Sequence, residues 1–161
     1  MKKIMFAADG SKSAQGAAEL ARKFLEAWPQ ATVEVVYVIQ VHSIWSDGPS
    51  VLVDELTKDV KENSLAPFWG QLDRVHFRHV VDVASPAVVL SRLAKEEGFD
   101  LIIAGSHGRN RVNRLLLGSV SHELVHRSEV PVLIARYQPP NPTIRVAWSS
   151  EKFSNRMTSW K

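Results

Sequence analysis

The chain contains no cysteine, which excludes a disulfide framework and any thiolate-held metal centre and makes a reducing, cytoplasmic setting the expected one. It also lacks an apolar run long enough to span a bilayer, so no membrane partner is expected. Residues 1–8 begin like an export signal, but the apolar stretch stops at Asp9, short of what such a signal needs. Aromatic residues are only 8% of the chain and none accompany the clustered cations, so the stacking platform of a single-strand nucleic-acid binder is missing. A net charge of +3 is too small to announce a nucleic-acid partner by count. What is present, in 161 residues, is a hydrophobic fraction of 45%, enough for one substantial core but not for two full domains.

The apolar residues fall into short runs separated by turn formers. Residues 4–8 form a continuous apolar run, as in a strand buried on both faces of a parallel sheet, and Asp9-Gly10-Ser11 breaks it. Ala14, Ala17, Ala18, Ala21, Phe24, Leu25 and Trp28 then recur at helical spacing until Pro29. A β-branched run over residues 33–41 predicts a second strand, and Val53, Leu56 and Val60 a second helix ending by Pro67. Residues 75–83, where Val and Phe mix with His and Arg, predict a third strand near a sheet edge. Ser85-Pro86 is a cap followed by proline at the first helical position, and Gly98 closes the helix it opens. Residues 101–104 and 130–135 predict two further strands, with a helix over 118–127 between them. Strands alternating with helices imply right-handed crossovers and a parallel sheet.

The segment Gly105-Ser-His-Gly108-Arg109-Asn-Arg111-Val-Asn-Arg114-Leu-Leu-Leu-Gly118-Ser119-Val120-Ser121 leaves a buried strand and enters a helix. Anions bind at such places, because the first-turn N–H groups and the positive end of the helix dipole stabilise phosphate oxygens. Gly105, Gly108 and Gly118 would let the backbone approach a ligand or adopt positive φ, Ser119 and Ser121 would offer hydroxyl donors, and Arg109, Arg111 and Arg114 add charge. The alternative is that the glycines only punctuate a turn and the arginines are solvated. Neither the P-loop Gly-Lys-Ser/Thr nor the dinucleotide pattern Gly-x-Gly-x-x-Gly occurs.

The spacing Gly105, two residues, Gly108, nine residues, Gly118-Ser119 resembles the ATP-binding signature of the universal stress protein family. The likeness extends over residues 1–137, through Asp9-Gly-Ser, Val36-Val-Tyr-Val-Ile, Ser85-Pro-Ala, Phe99-Asp-Leu-Ile-Ile-Ala-Gly-Ser-His-Gly and Val130-Pro-Val-Leu-Ile. The resemblance implies an open, Rossmann-like α/β fold of the adenine nucleotide α-hydrolase type. Its parallel sheet has the order 3-2-1-4-5 and helices on both faces, with Asp9 and Gly105 at neighbouring strand ends beside the topological switch point. It further implies that ATP or a related adenine nucleotide binds, possibly with Mg, and that hydrolysis is slight or absent. The residues it implicates are Ala7, Asp9 at the nucleoside, and Val38 whose backbone meets adenine. Ala104, Gly105, Gly108 and Arg109 follow at the pocket edge and phosphate loop, and Gly118, Ser119, Val120 and Ser121 at the phosphate-binding helix start. Without the resemblance Asp9 reads as a helix cap and Val38 as core. Ala7 stands where the family often has proline, and Arg111 where many members have a small residue.

A competing motif is His122-Glu123-Leu124-Val125-His126, which spells the zinc-hydrolase pattern of two histidines one helical turn apart with a glutamate base. Helical phase argues against it. With Leu116, Leu117, Val120 and Leu124 on the buried stripe, both histidines point about 150° away, into solvent. Glu129 and Val132 also stand where the extended pattern needs glycine and a third histidine. No catalytic residue and no metal site are therefore expected, and incidental metal capture by the exposed pair is favoured over catalysis. His107 either meets a phosphate or is a solvated loop residue; His42, His76 and His79 read as surface or sheet-edge positions.

Residues 138–161 read as a Pro-rich linker, Gln138-Pro-Pro-Asn-Pro142, and a tail. The tail segment beginning Ile144-Arg-Val-Ala-Trp148 can be laid over Ile4-Met-Phe-Ala-Ala8, so it is either the stub of a second repeat or a disordered or partner-bound extension. The last predicted strand, over 130–135, would be a long apolar edge needing cover. Relatives commonly dimerise through it, so a homodimer is expected, the alternative cover being residues 143–148.

Overall fold

The computed structural model of the chain describes residues 1–41, 49–68, 70–107 and 117–136. In chain order the elements are β1 (Lys3–Ala8), α1 (Lys12–Ala27), β2 (Thr32–Gln40), α2 (Pro49–Leu65), β3 (Val75–Asp82), α3 (Pro86–Glu96), β4 (Leu101–Gly105), α4 (Ser119–Arg127) and β5 (Val132–Ala135). All strand pairs are parallel, and the five-stranded sheet has the order β3-β2-β1-β4-β5. Among the described residues no helix is long and apolar enough to cross a membrane.

Alternation along the strands divides the core between the two faces of the sheet. Ile4, Phe6, Val33, Val35 and Ile103 face α1 and α2 and are fully buried with Ala17, Ala18, Ala21 and Leu25. Met5, Val36, Ile102 and Ala104 face the other way, against Ala87, Leu90 and Ala94 of α3 and Leu124 of α4. The apolar face of α1 is mostly alanine, so its backbone lies close to the sheet; this closeness shapes the site below.

The helix ends follow the sequence signals. Ser11 caps α1 by accepting from the Ala14 N–H at 3.1 Å. Ser85 caps α3 through the Val88 N–H, with Pro86 at the first helical position, and Gly98 closes the helix at φ 67°.

Two expectations are corrected. The last strand starts at Val132 rather than Val130, because the Ser128 hydroxyl takes the Val130 N–H at 3.1 Å and donates to its carbonyl at 2.7 Å, and Pro131 has no N–H to give. The resulting edge has four residues and is shorter than expected. Leu117 does not lie on a buried stripe of α4. It precedes the helix and is 40% exposed, while Ser121 and Leu124 form the buried positions.

At the end of the sheet remote from the strand C-termini, an ion cluster ties three strands to the end of α3. Arg78 of β3 meets Glu34 of β2 at 2.8 Å and Glu97 at 2.9 Å, and Lys3 of β1 meets Glu97 at 3.4 Å while lying over the Phe99 ring. Hydrogen bonding to Arg78 holds the Glu97 carboxyl below its ordinary range.

Candidate functional site

The central strands β1 and β4 are neighbours, with Ala7 opposite Ala104, so Asp9 and Gly105 leave the sheet side by side. From β1 the chain turns back into α1 on one face, and from β4 it proceeds to α4 on the other. This is the topological switch point, where an open α/β sheet leaves a crevice beyond its strand ends. β2 forms one wall: its partner β1 stops opposite Tyr37, whereas Val38, Ile39 and Gln40 run on, paired only to β3.

The floor is apolar. Ala7, Val38 and Val120 are partly buried and pack, with Ala104, on the core cluster beneath α3 and α4. Asp9 sits at the rim, half-buried, and its carboxylate accepts from the Ser11 N–H at 2.9 Å across Gly10, whose φ of 74° makes the turn. Ser11, not Asp9, is the helix cap, so the capping reading of Asp9 fails.

A set of serines fastens the end of β4 to the start of α1. The Ser11 hydroxyl donates to the His107 carbonyl at 3.3 Å, and the His107 N–H donates to the Ser13 hydroxyl at 3.2 Å. Ser13 and Ser106 hydroxyls stand 3.4 Å apart, and Ser106 Oγ lies 3.0 Å from His107 Nδ1. Gly105 belongs to this junction. A Cβ there would lie 2.8 Å from the carbonyl carbon of Ser13 and 2.9 Å from the Ala14 nitrogen, distances real Cβ atoms do not reach. Its φ is not positive, which leaves out the second of the two reasons expected for a glycine here; the close approach of α1 requires it.

The other fastening ties β4 to α4. The Gly118 N–H donates to the Ser106 carbonyl at 2.8 Å, and the Ser121 hydroxyl donates to the Gly105 carbonyl at 2.5 Å. The segment that leaves at His107 thus returns at Leu117 with its stems held together. Ser121 is 4% exposed, so its hydroxyl is spent on the protein rather than offered to a phosphate, contrary to expectation. Gly108, Arg109, Arg111 and Arg114, the remaining expected loop residues, lie outside the described residues.

Gly118 is the N-cap of α4, at φ −62° and ψ 157°, and provides no side-chain cap. The first intrahelical bond is made by the His122 N–H to the Gly118 carbonyl at 2.9 Å. The N–H groups of Ser119, Val120 and Ser121 precede it and have no partner within the helix. They lie beside an exposed Ser119, with the positive end of the helix dipole behind them. Such an arrangement favours an anion.

Comparison with known proteins agrees with this architecture: the model of the universal stress protein family matches residues 1–136. The chain belongs to the universal stress protein family. Universal stress protein MJ0577 of Methanocaldococcus jannaschii is 28% identical over 157 residues, covering 84% of this chain and 94% of the relative. The solved structure of MJ0577 superposes with a TM-score of 0.67 at 27% identity, covering 86% of this chain and 98% of that one. A universal stress protein solved in complex with cAMP gives a TM-score of 0.62 at 25% identity, covering 83% of this chain and 96% of that one.

Within this universal stress protein the histidines of the zinc-hydrolase motif lie on the exposed face of α4. His122 and His126 are exposed, and among the described residues no group of three His, Cys, Asp or Glu side chains could hold a metal ion. Glu123, the would-be base, accepts from the Ser85 hydroxyl at 3.0 Å and pairs with Arg127 at 2.7 Å. The sequence reading missed Ser13 and Ser106 as parts of the junction. Serines at a strand exit and in a first helical turn read equally well as solvent-facing, and only their burial, 5% and 2% exposed, shows otherwise.

Proposed function

We propose that this universal stress protein holds ATP or a closely related adenine nucleotide as a regulatory ligand in the crevice beyond β1 and β4, with little or no turnover. The observation that carries the reading is the first turn of α4: N–H groups that no side chain caps among the described residues, fixed against the end of β4 at the switch point. The phosphates lie there, with Ser119, Val120 and Ser121 supplying backbone donors and Gly118, whose own N–H is held by the Ser106 carbonyl, opening the helix; Gly108 and Arg109, which the family resemblance adds to the phosphate loop, lie outside the described residues. Adenine lies along the projecting end of β2, over Ala7 and against the Val38 backbone; Asp9 meets the ribose, and Ala104 and Gly105 form the edge. Mg can accompany the phosphates. The cAMP-bound relative supports an adenine ligand. A regulatory rather than hydrolytic role follows from the sequence, in which no general base, nucleophile or metal-binding carboxylate pair is assigned near the glycine loop.

The nucleotide domain spans residues 1–137, with residues 138–161 as an appended linker and tail, and two copies pair through β5. Denaturing gently purified protein and analysing the released small molecules by mass spectrometry tests the ligand. An adenine nucleotide is expected; neither carry-over nor binding of added ATP at millimolar concentration contradicts the reading.

A further inference from the structure

We propose that His122 and His126 form a non-catalytic site for one divalent transition-metal ion on the exposed face of α4. The two side chains are one helical turn apart, so they stack on the same face. Their ring centroids are 4.6 Å apart and the rings are tilted by 54°. Two imidazoles bound cis to one ion through metal–nitrogen bonds of about 2.0–2.1 Å place their centres roughly 4.5–5 Å apart, so the pair already stands at the required spacing. Both residues are exposed, and among the described residues neither ring is engaged in a hydrogen bond or ion pair. An ion therefore displaces no protein partner and reaches the site directly from solvent.

The ligand type narrows the ion. Neutral imidazoles favour Cu²⁺, Ni²⁺ and Zn²⁺ over Mg²⁺ or Ca²⁺, which prefer oxygen, and the order of affinity is Cu²⁺ above Ni²⁺ and Zn²⁺. Glu123 is committed to Ser85 and Arg127, so water fills the remaining positions and no protein base addresses a bound water. The site is distinct from a hydrolytic zinc centre for that reason. An ion spanning residues 122 and 126 also clamps α4 in its helical form, since the unfolded chain does not hold the pair at this spacing.

The test is a titration of the nucleotide-free full-length protein with CuCl₂, NiCl₂ and ZnCl₂, followed by calorimetry and by the histidine ring resonances. The wild type is expected to take up one equivalent at this site, with the His122 and His126 signals perturbed first. His122→Ala/His126→Ala should weaken binding tenfold or more while circular dichroism shows the fold retained. His76→Ala/His79→Ala is the control: those exposed histidines on β3 are three residues apart in a strand, hence on opposite faces, and cannot chelate one ion. Equal affinity in the wild type and the His122→Ala/His126→Ala variant, or no binding to the wild type at millimolar ion, overturns the proposal.

Discussion

Gly105 lies so close to Ser13 that a single added carbon would stand 2.8 Å from the Ser13 carbonyl carbon. The contact joins the end of β4 to the first turn of α1, and two of the three nearest atoms, the Ser13 carbonyl carbon and the Ala14 nitrogen, are backbone that cannot swing aside. Gly105→Ala is therefore expected to push α1 from the sheet and destabilise the protein by about 1–3 kcal/mol, the usual cost of overpacking. Urea denaturation measures it; an unchanged midpoint would show that the junction is looser than described.

Ser121 and Ser119 should behave in opposite ways although both follow the same glycine. Ser121→Ala leaves the part-buried Gly105 carbonyl without the hydroxyl donor of the buried Ser121 and is expected to cost about 1–3 kcal/mol. Ser119→Ala, on the exposed side, should change stability by about 0.5 kcal/mol or less. Thermal unfolding of the two variants checks the contrast.

The alternation of strands with helices, the helix caps at Ser85-Pro86 and Gly98, and the position of the glycine-rich crossing were legible in the sequence because each depends on local chemistry: apolar runs, a capping hydroxyl, a glycine at a helix end; the strand order came only through the resemblance to the family. What was not legible depends on partners far along the chain. Ser121 reads as a surface hydroxyl until Gly105 lies beneath it, and Ser13 becomes buried only when β4 arrives beside β1. The late start of β5 was hidden for a nearer reason: Ser128 captures both backbone groups of Val130, and an apolar count does not register that competition. Leu117 was misplaced because helical phase was extended past the glycine where α4 begins.

Acid should weaken the fold through the cluster around Arg78. Glu97 is held below its ordinary range first by its hydrogen bond to Arg78, opposed by partial burial and aided by the charges of Arg78 and Lys3. A carboxylate with a depressed folded-state value adds stability that is fully present above its unfolded value, near pH 4.3, and is lost as pH falls through the folded value. Glu97→Gln should be less stable than the wild type at about pH 7, with the gap closing toward about pH 3. Denaturant midpoints at the two pH values decide it; a constant gap would remove Glu97 from the acid response.

Pairing of two copies through β5 predicts a dimer by light scattering both in the full-length protein and after deletion of residues 138–161. A dimer lost on truncation would assign the contact to the tail, and a monomer in both cases would exclude β5 pairing.

Calorimetric titration of ATP into the wild type and Gly118→Asp addresses the first turn of α4 most directly. Aspartate is at least as good an N-cap as glycine, so stability should hold within a few tenths of a kcal/mol, while its carboxylate occupies the N–H groups and repels phosphate. The expected result is binding by the wild type and a loss of about tenfold or more, about 1.4 kcal/mol, in the variant. Equal affinity in the two proteins, or no heat of binding with the wild type, would contradict a phosphate seat at Ser119, Val120 and Ser121.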